Sequence, residues 1–199
     1  FTSQSRSWEE GVLDSAEKNE GESSIWGYFL LGIKHISTGY DHIAFLLGII
    51  LLNKRKRLLA VAITGFTLGH SITLALGVMN FVSPSTGFVE SLIGYSILLI
   101  ALEFLAKETK QYVFYSKVFF LVSVPFLIFY NFFGIPSYFV GLCGVILFTI
   151  SYLNFSNRLK NSNLSIAVTS LFGLVHGFGF AGNLAEVGLP EDSLIPALL

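Results

Sequence analysis

From Ile25 onward the chain alternates long apolar runs with short basic or polar breaks, whereas residues 1–24 carry Glu9, Glu10, Asp14, Glu17, Glu20 and Glu22 and little to bury. A bilayer-spanning helix needs roughly 20 apolar residues. The runs predict about six such helices, near 25–52, 58–80, 88–106, 117–133, 136–156 and 164–188. The fourth is short and interrupted by Pro125, with a tight turn expected at Gly134-Ile135-Pro136. The expected fold is all-α, a polytopic membrane helical bundle over 25–199, preceded by a polar extracytoplasmic tail or linker at 1–24. The chain opens on Phe1 without a signal-peptide pattern, and Leu194–Leu199 reads as the start of another apolar segment. One more helix is therefore expected beyond the C-terminal end, making the domain C-terminally incomplete.

The breaks between runs orient the bundle. Lys54, Arg55, Lys56 and Arg57 follow the first span, Lys107, Lys110 and Lys117 lie after the third, and Arg158 and Lys160 follow the fifth. Together they hold nine of the 12 Lys and Arg, and alternating helices put all three breaks on one side. That is the positive-inside pattern. The expected location is a bacterial inner or plasma membrane with the amino terminus extracytoplasmic. Trp26, Tyr28 and Tyr138 fall where outer-interface aromatics belong, and Tyr112 and Tyr115 fall at the inner side.

Composition agrees with a membrane protein and narrows the chemistry. With 53% hydrophobic residues, 13% charged residues and a mean hydropathy of +0.69, an ordinary soluble domain is excluded. No basic stripe or RNA-binding signature is present, so no nucleic-acid partner is expected. Cys143 is the single cysteine and lies in an apolar run, which leaves neither a disulfide framework nor a thiolate metal site. A metal ion would have to be held by nitrogen and oxygen.

All four histidines, His35, His42, His70 and His176, fall inside apolar stretches. Ionisable groups are costly in a bilayer and usually face the bundle interior along a functional path. At ~1.5 Å of rise per residue, His35 and His42 lie in the outer half to middle of span one. His70 and His176, each about 12 residues into rising spans, also sit from the middle outward. Glu90 stands near the outer end of span three, so side chains from four helices share one depth zone.

Helical phase refines the set. His35 and His42 fall on nearly one face, whereas Asp41 aligns with Lys34 and Thr38. Either Asp41 orients a histidine of another helix, or Ser37-Thr38-Gly39 breaks the helix and turns it inward. A structural ion pair of Asp41 with Lys34 is the alternative role. Thr64, Thr67, His70 and Ser71 form a polar stripe on span two. Gly173 and Gly177 form a small-xxx-small face that would admit a neighbouring backbone and bring His176 within reach of the others. Glu90 can also be read as an interfacial residue at a helix start, Ser71 as an inter-helix hydrogen-bonding group, and Glu103 with Lys107 as a surface pair on the inner side. Imidazole with carboxylate suits Ni, Co, Zn, Cu(II) or Fe, and ligand type alone does not choose among them.

Four motifs carry a resemblance: H-I-x-x-G-x-D-H-x-x-F-L-L over 35–47, F-T-x-x-H-S-x-T-L over 66–74, V-E-x-x-I-x-x-S-I over 89–97 and G-x-x-H-G-x-G-F-A over 173–181. In order and spacing the chain resembles the HupE/UreJ family of membrane proteins. Members are associated with hydrogenase and urease accessory clusters and regarded as nickel or cobalt permeases. The resemblance implies metal-site roles for His35, Asp41, His42, His70 and His176, and for Glu90. Hydrogenase-linked members carry His-Pro where this chain has His35-Ile36, which points to a second branch of the family. The family continues past Leu199, so a ligand on a last helix would be out of view.

The leading expectation is a divalent transition-metal permease (Ni, Co or Zn) with an outward-facing histidine site. The inner half looks poor in polar residues, with Thr64 among the few candidates for an exit path. The alternative is an intramembrane zinc hydrolase with Asp41 or Glu90 as general base and Ser71 as stabiliser. A structural or sensory metal site is the third. The expected partners are the lipid bilayer and the metal ion, with homo-oligomers or accessory subunits left open.

Overall fold

The computed structural model describes residues 33, 36–37, 39–133, 136–159 and 162–187, and its elements are six helices with no strand among the described residues. In chain order they are α1 (Tyr40–Leu52), α2 (Lys56–Val78), α3 (Thr86–Thr109), α4 (Tyr112–Phe132), α5 (Pro136–Leu159) and α6 (Ser162–Val187). The tail at 1–24, His35, Lys34, the turn residues Gly134 and Ile135, and residues 188–199 lie outside the described residues. Four helices are long and apolar enough to cross a membrane: α2, α3, α4 and the Phe139–Arg158 portion of α5. Tyr40–Leu52 and Asn163–Gly179 are shorter apolar helices. The chain is an all-helical integral membrane protein.

Pro125 does not interrupt α4, which runs unbroken for 21 residues. Proline removes one intrahelical hydrogen bond, and inside a bilayer helix neighbouring groups and local adjustment re-satisfy the freed carbonyl. Span four is therefore full length rather than short. At its other boundary α5 begins on Pro136, the first helical position that proline's fixed φ favours.

Each helix hides one narrow stripe and leaves the rest to lipid. On α1 the buried residues are Phe45, Ile49 and Leu52, at spacings of four and three. On α3 they run through Val89, Ile93, Ser96, Ile100 and Glu103. Large apolar side chains such as Phe120, Leu121, Phe126 and Ile128 of α4 are exposed. In water these would be a liability, but in a bilayer they are the solvent-facing surface.

The closest pairing is α2 against α6. A Cβ added to Gly69 would stand 2.7 Å from the Ser170 carbonyl oxygen, and one on Gly173 would stand 2.2 Å from the Phe66 carbonyl oxygen. On Gly177 it would meet the His70 carbonyl oxygen at 2.3 Å. Small residues let two backbones approach where lipid supplies no hydrophobic drive. The Gly173–Gly177 face thus meets α2, and His176 lies between these two glycines in sequence, one residue before Gly177.

The basic breaks gather at one end. Lys54 Nζ, after α1, pairs with Glu108 at the end of α3 at 2.6 Å, and Lys107 Nζ donates to the Leu52 carbonyl at 2.9 Å. Lys110 closes α3 in the left-handed conformation, φ 58°, a common way to terminate a helix. Asn157, near the end of α5, lines the same cavity as Lys54 and Lys107. The first, third and fifth breaks therefore share this end, and the histidines of the described residues lie toward the other.

Candidate metal centre

His42 continues the buried stripe of α1 by one turn, three residues before Phe45, and His176 continues that of α6, seven residues after Thr169 and four after Phe172. His70 comes one residue after Gly69, the glycine at which α2 touches α6. Ordinary helical phase therefore carries three imidazoles to one place. The ring centroids of His42 and His70 are 5.4 Å apart, those of His42 and His176 5.2 Å, and His42 stands between the other two.

The nitrogens are arranged as well as the rings. His42 Nε2 and His70 Nε2 are 3.4 Å apart. Two ligands of a tetrahedral ion with metal–nitrogen bonds of ~2.0–2.1 Å lie about 3.3–3.4 Å from each other. His176 is fully buried, and its Nδ1 lies 2.9 Å from the Phe172 carbonyl oxygen. A carbonyl can only accept, so Nδ1 carries the proton and Nε2 presents its lone pair. That Nε2 is buried and without a hydrogen-bond partner. Leaving a buried acceptor unsatisfied costs about 1–3 kcal/mol, a cost that a bound cation would remove. Fixing the tautomer through the second ring nitrogen is how metal-ligating histidines are usually oriented. Among the described residues no group of three or more His, Cys, Asp or Glu side chains is arranged to hold a metal ion.

Aromatic side chains wall this site on the side of the basic end. Phe45 and Phe66 lie 4.7 Å and 5.1 Å from the His176 ring, centroid to centroid, and 4.8 Å from each other. Phe172 packs on Phe45 at 6.2 Å. Their low polarity strengthens any charge interaction at the nitrogens.

The remaining candidates separate. Gly39 precedes α1 in an extended conformation, φ −80° and ψ 90°, so α1 starts at Tyr40 and Asp41 lies in its first turn. Gly39 is thus non-helical, within the stretch at which the sequence admits a break. Asp41 is exposed and adjoins His42 in the chain. Glu90 and Ser71 are exposed. His35 lies outside the described residues.

Glu103 overturns its expected role. It is only 4% exposed, and its carboxylate accepts from Tyr152 Oη at 2.5 Å, Ser165 Oγ at 3.2 Å and Ser156 Oγ at 3.4 Å. It is not a surface partner of Lys107, whose ammonium is taken by the Leu52 carbonyl. The half toward the basic end is not poor in polar groups either: Thr149, Ser156, Ser165 and Thr169 are buried there, and Tyr95 Oη meets Thr149 Oγ1 at 2.7 Å. Thr64, by contrast, is exposed. The signal for Glu103 was its position seven residues after Ser96, on the same helical face, with Tyr152 and Ser156 one turn apart on another helix.

The family model described as HupE / UreJ protein matches residues 13–133 and 131–199 of the chain. No curated protein and no solved structure matches it. The matched segments contain all four histidines and every helix just described, so the chain belongs to the HupE/UreJ family of membrane proteins, a family associated with nickel and cobalt handling.

Proposed function

We propose that this protein is a permease for a divalent transition metal of the nickel or cobalt type, with the metal as its cargo. The observation that carries the reading is the convergence of His42, His70 and His176 on three helices, with the buried Nε2 of His176 left for a cation. Neutral imidazoles suit nickel, cobalt and zinc alike. Without a thiolate in the site, binding is weak enough to be released, as conduction requires. The basic end faces the cytoplasm by the positive-inside pattern, so the histidines open toward the outside and capture the ion there. His35, seven residues before His42 in sequence, is the proposed fourth imidazole of this set, and Asp41 supplies negative charge at the entrance. Glu90 has the weaker case as a ligand, being exposed.

The Phe45, Phe66 and Phe172 layer separates this site from the polar residues nearer the basic end, which keeps the path closed between passages. Ser71 and Glu90, which a hydrolase would need beside the rings, are exposed.

The test is nickel and cobalt uptake into sealed vesicles carrying the purified chain. Saturable uptake that falls at least tenfold in His42→Ala/His176→Ala is the expected result. Uptake equal to that of empty vesicles would end the permease reading.

A further inference from the structure

At the basic end the bundle carries a partly open cavity of about 700 Å³, lined among others by Glu103, Ser156, Ser165, Tyr112, Asn53 and Lys107. Three of the helices that line it, α3, α5 and α6, meet at one carboxylate. Glu103 supplies two oxygens, and the hydroxyls of Tyr152, Ser156 and Ser165 stand 2.5, 3.4 and 3.2 Å from them. The side chain is 4% exposed, although a glutamate is seldom fully buried unless it is paired. Lys107, one turn along the same helix, does not pair with it; its ammonium donates to the Leu52 carbonyl instead. The carboxyl oxygens are therefore met by hydroxyl groups, which can turn from donating a hydrogen bond to offering a lone pair.

We infer that Glu103 with Tyr152, Ser156 and Ser165 forms a second cation site, an all-oxygen station at which a divalent cation pauses before entering the basic-end cavity. The inference rests on the permease reading for its place in a path, and on the oxygen cluster and its cavity for its chemistry. Ser165 and His176 lie on α6 eleven residues apart, about 16 Å along the axis. Buried Thr169 stands between them on the same helix. The two stations thus share one helix, separated by the phenylalanine layer.

Ligand type sets the order of affinity. Imidazole nitrogen suits nickel, cobalt and zinc, whereas carboxylate and hydroxyl oxygen suit harder ions such as manganese. A transition metal is therefore held less firmly at Glu103 than at the histidines, as a point of departure requires. The cavity mouth favours release in the same direction: Lys54, Arg55, Lys107 and Lys110 outnumber Glu103 and Glu108 among its charged lining. Once the cation has left the carboxylate, the ammonium and guanidinium groups oppose its return.

The test uses the full chain in lipid nanodiscs and in sealed vesicles. In a His42→Ala/His176→Ala background, Mn²⁺ serves as an oxygen-preferring paramagnetic probe, titrated by electron paramagnetic resonance. One Mn²⁺ per chain is expected at sub-millimolar to millimolar concentration, weakened at least tenfold by Glu103→Gln. The Ser156→Ala/Ser165→Ala variant keeps the carboxylate and should weaken Mn²⁺ several-fold. Unchanged Mn²⁺ affinity in Glu103→Gln overturns the site. If that variant cannot be purified, unchanged affinity in the serine variant does so.

Vesicle flux separates this inference from the reading it rests on. With the histidines intact, Glu103→Gln should keep its bound nickel while inward flux falls at least tenfold. Wild-type flux in Glu103→Gln overturns the station and leaves the permease standing. No flux in the wild type ends the permease reading, and the Mn²⁺ titration still decides whether Glu103 holds a cation.

Discussion

The two ends of this bundle bury different donors, and the neighbours of each donor explain the difference. At the histidine end, nitrogen is presented without a protein partner: His176 Nε2 is buried and unsatisfied, while the other ring nitrogen holds the tautomer. At the basic end, oxygen is fully partnered: Glu103 receives three hydroxyl donors and lies against a cavity. A group left incomplete at a structural cost points to a ligand that completes it. A group already satisfied can hold a ligand only by exchanging partners. The first arrangement suits capture and the second suits release. Close backbone contact builds the histidine end, through Gly69, Gly173 and Gly177, whereas side-chain hydrogen bonds between helices build the other.

The largest expected effect breaks the histidine end at its backbone. Gly177→Val would place side-chain atoms where a Cβ alone already meets the His70 carbonyl oxygen at 2.3 Å and the Leu74 amide at 2.9 Å. Forcing α2 from α6 displaces His70 and His176 together. Metal binding should be abolished and thermal stability in detergent should fall steeply. A variant that binds nickel as the wild type does would show that the glycine contact does not position the rings.

Next in size is removal of the donors themselves. The purified protein should carry about one divalent transition metal per chain, and His70→Ala/His176→Ala should lose most of it, measured by elemental analysis after dialysis. Full retention would move the site elsewhere. Asp41→Asn keeps shape and removes charge; a residue that supports metal-bound histidines typically costs 10–100-fold in affinity when changed. Affinity within twofold of wild type would reduce Asp41 to an exposed residue of the first turn.

At the other end, Tyr152→Phe deletes the shortest hydroxyl contact to Glu103 and should destabilise the protein by about 1–3 kcal/mol. Metal content at the histidines should stay unchanged. Loss of that metal would mean that the two ends are not independent. Ser71→Ala lies at the small end of the scale. The side chain is exposed, and a membrane hydrogen bond averages only ~0.6 kcal/mol, so uptake should change less than threefold. A hundredfold loss, on the scale of a lost oxyanion donor, would favour a hydrolase instead.

Much of the architecture could be read from hydropathy. Among the described residues six helices correspond to the six apolar runs, and four of them are long and apolar enough to cross a membrane, because apolar length responds to bilayer thickness and needs no knowledge of neighbours. The clustering of basic residues at one end was visible for the same reason, and Lys54 and Glu108 now join two of those breaks directly. Features that depend on helix rotation were harder to read. Glu103 and Lys107 sit four apart, the spacing of a surface ion pair, yet that spacing is equally compatible with a buried acid one turn from an interfacial lysine. Only the packing of α5 and α6 against α3 decides between them. Pro125 misled because its cost in a water-soluble helix does not carry over to a helix surrounded by lipid and protein. His42, His70 and His176 were legible because depth and phase agreed on three helices, while Glu90 shared their depth without their burial.

The central claim is that imidazole nitrogens of three helices share one transition-metal ion, and X-ray absorption at the nickel edge of the loaded protein tests it most directly. The account predicts a nitrogen-rich first shell with the outer-shell scattering of two to three imidazoles, reduced by one imidazole in His176→Ala. A spectrum of oxygen ligands alone, identical in wild type and His176→Ala, would contradict it.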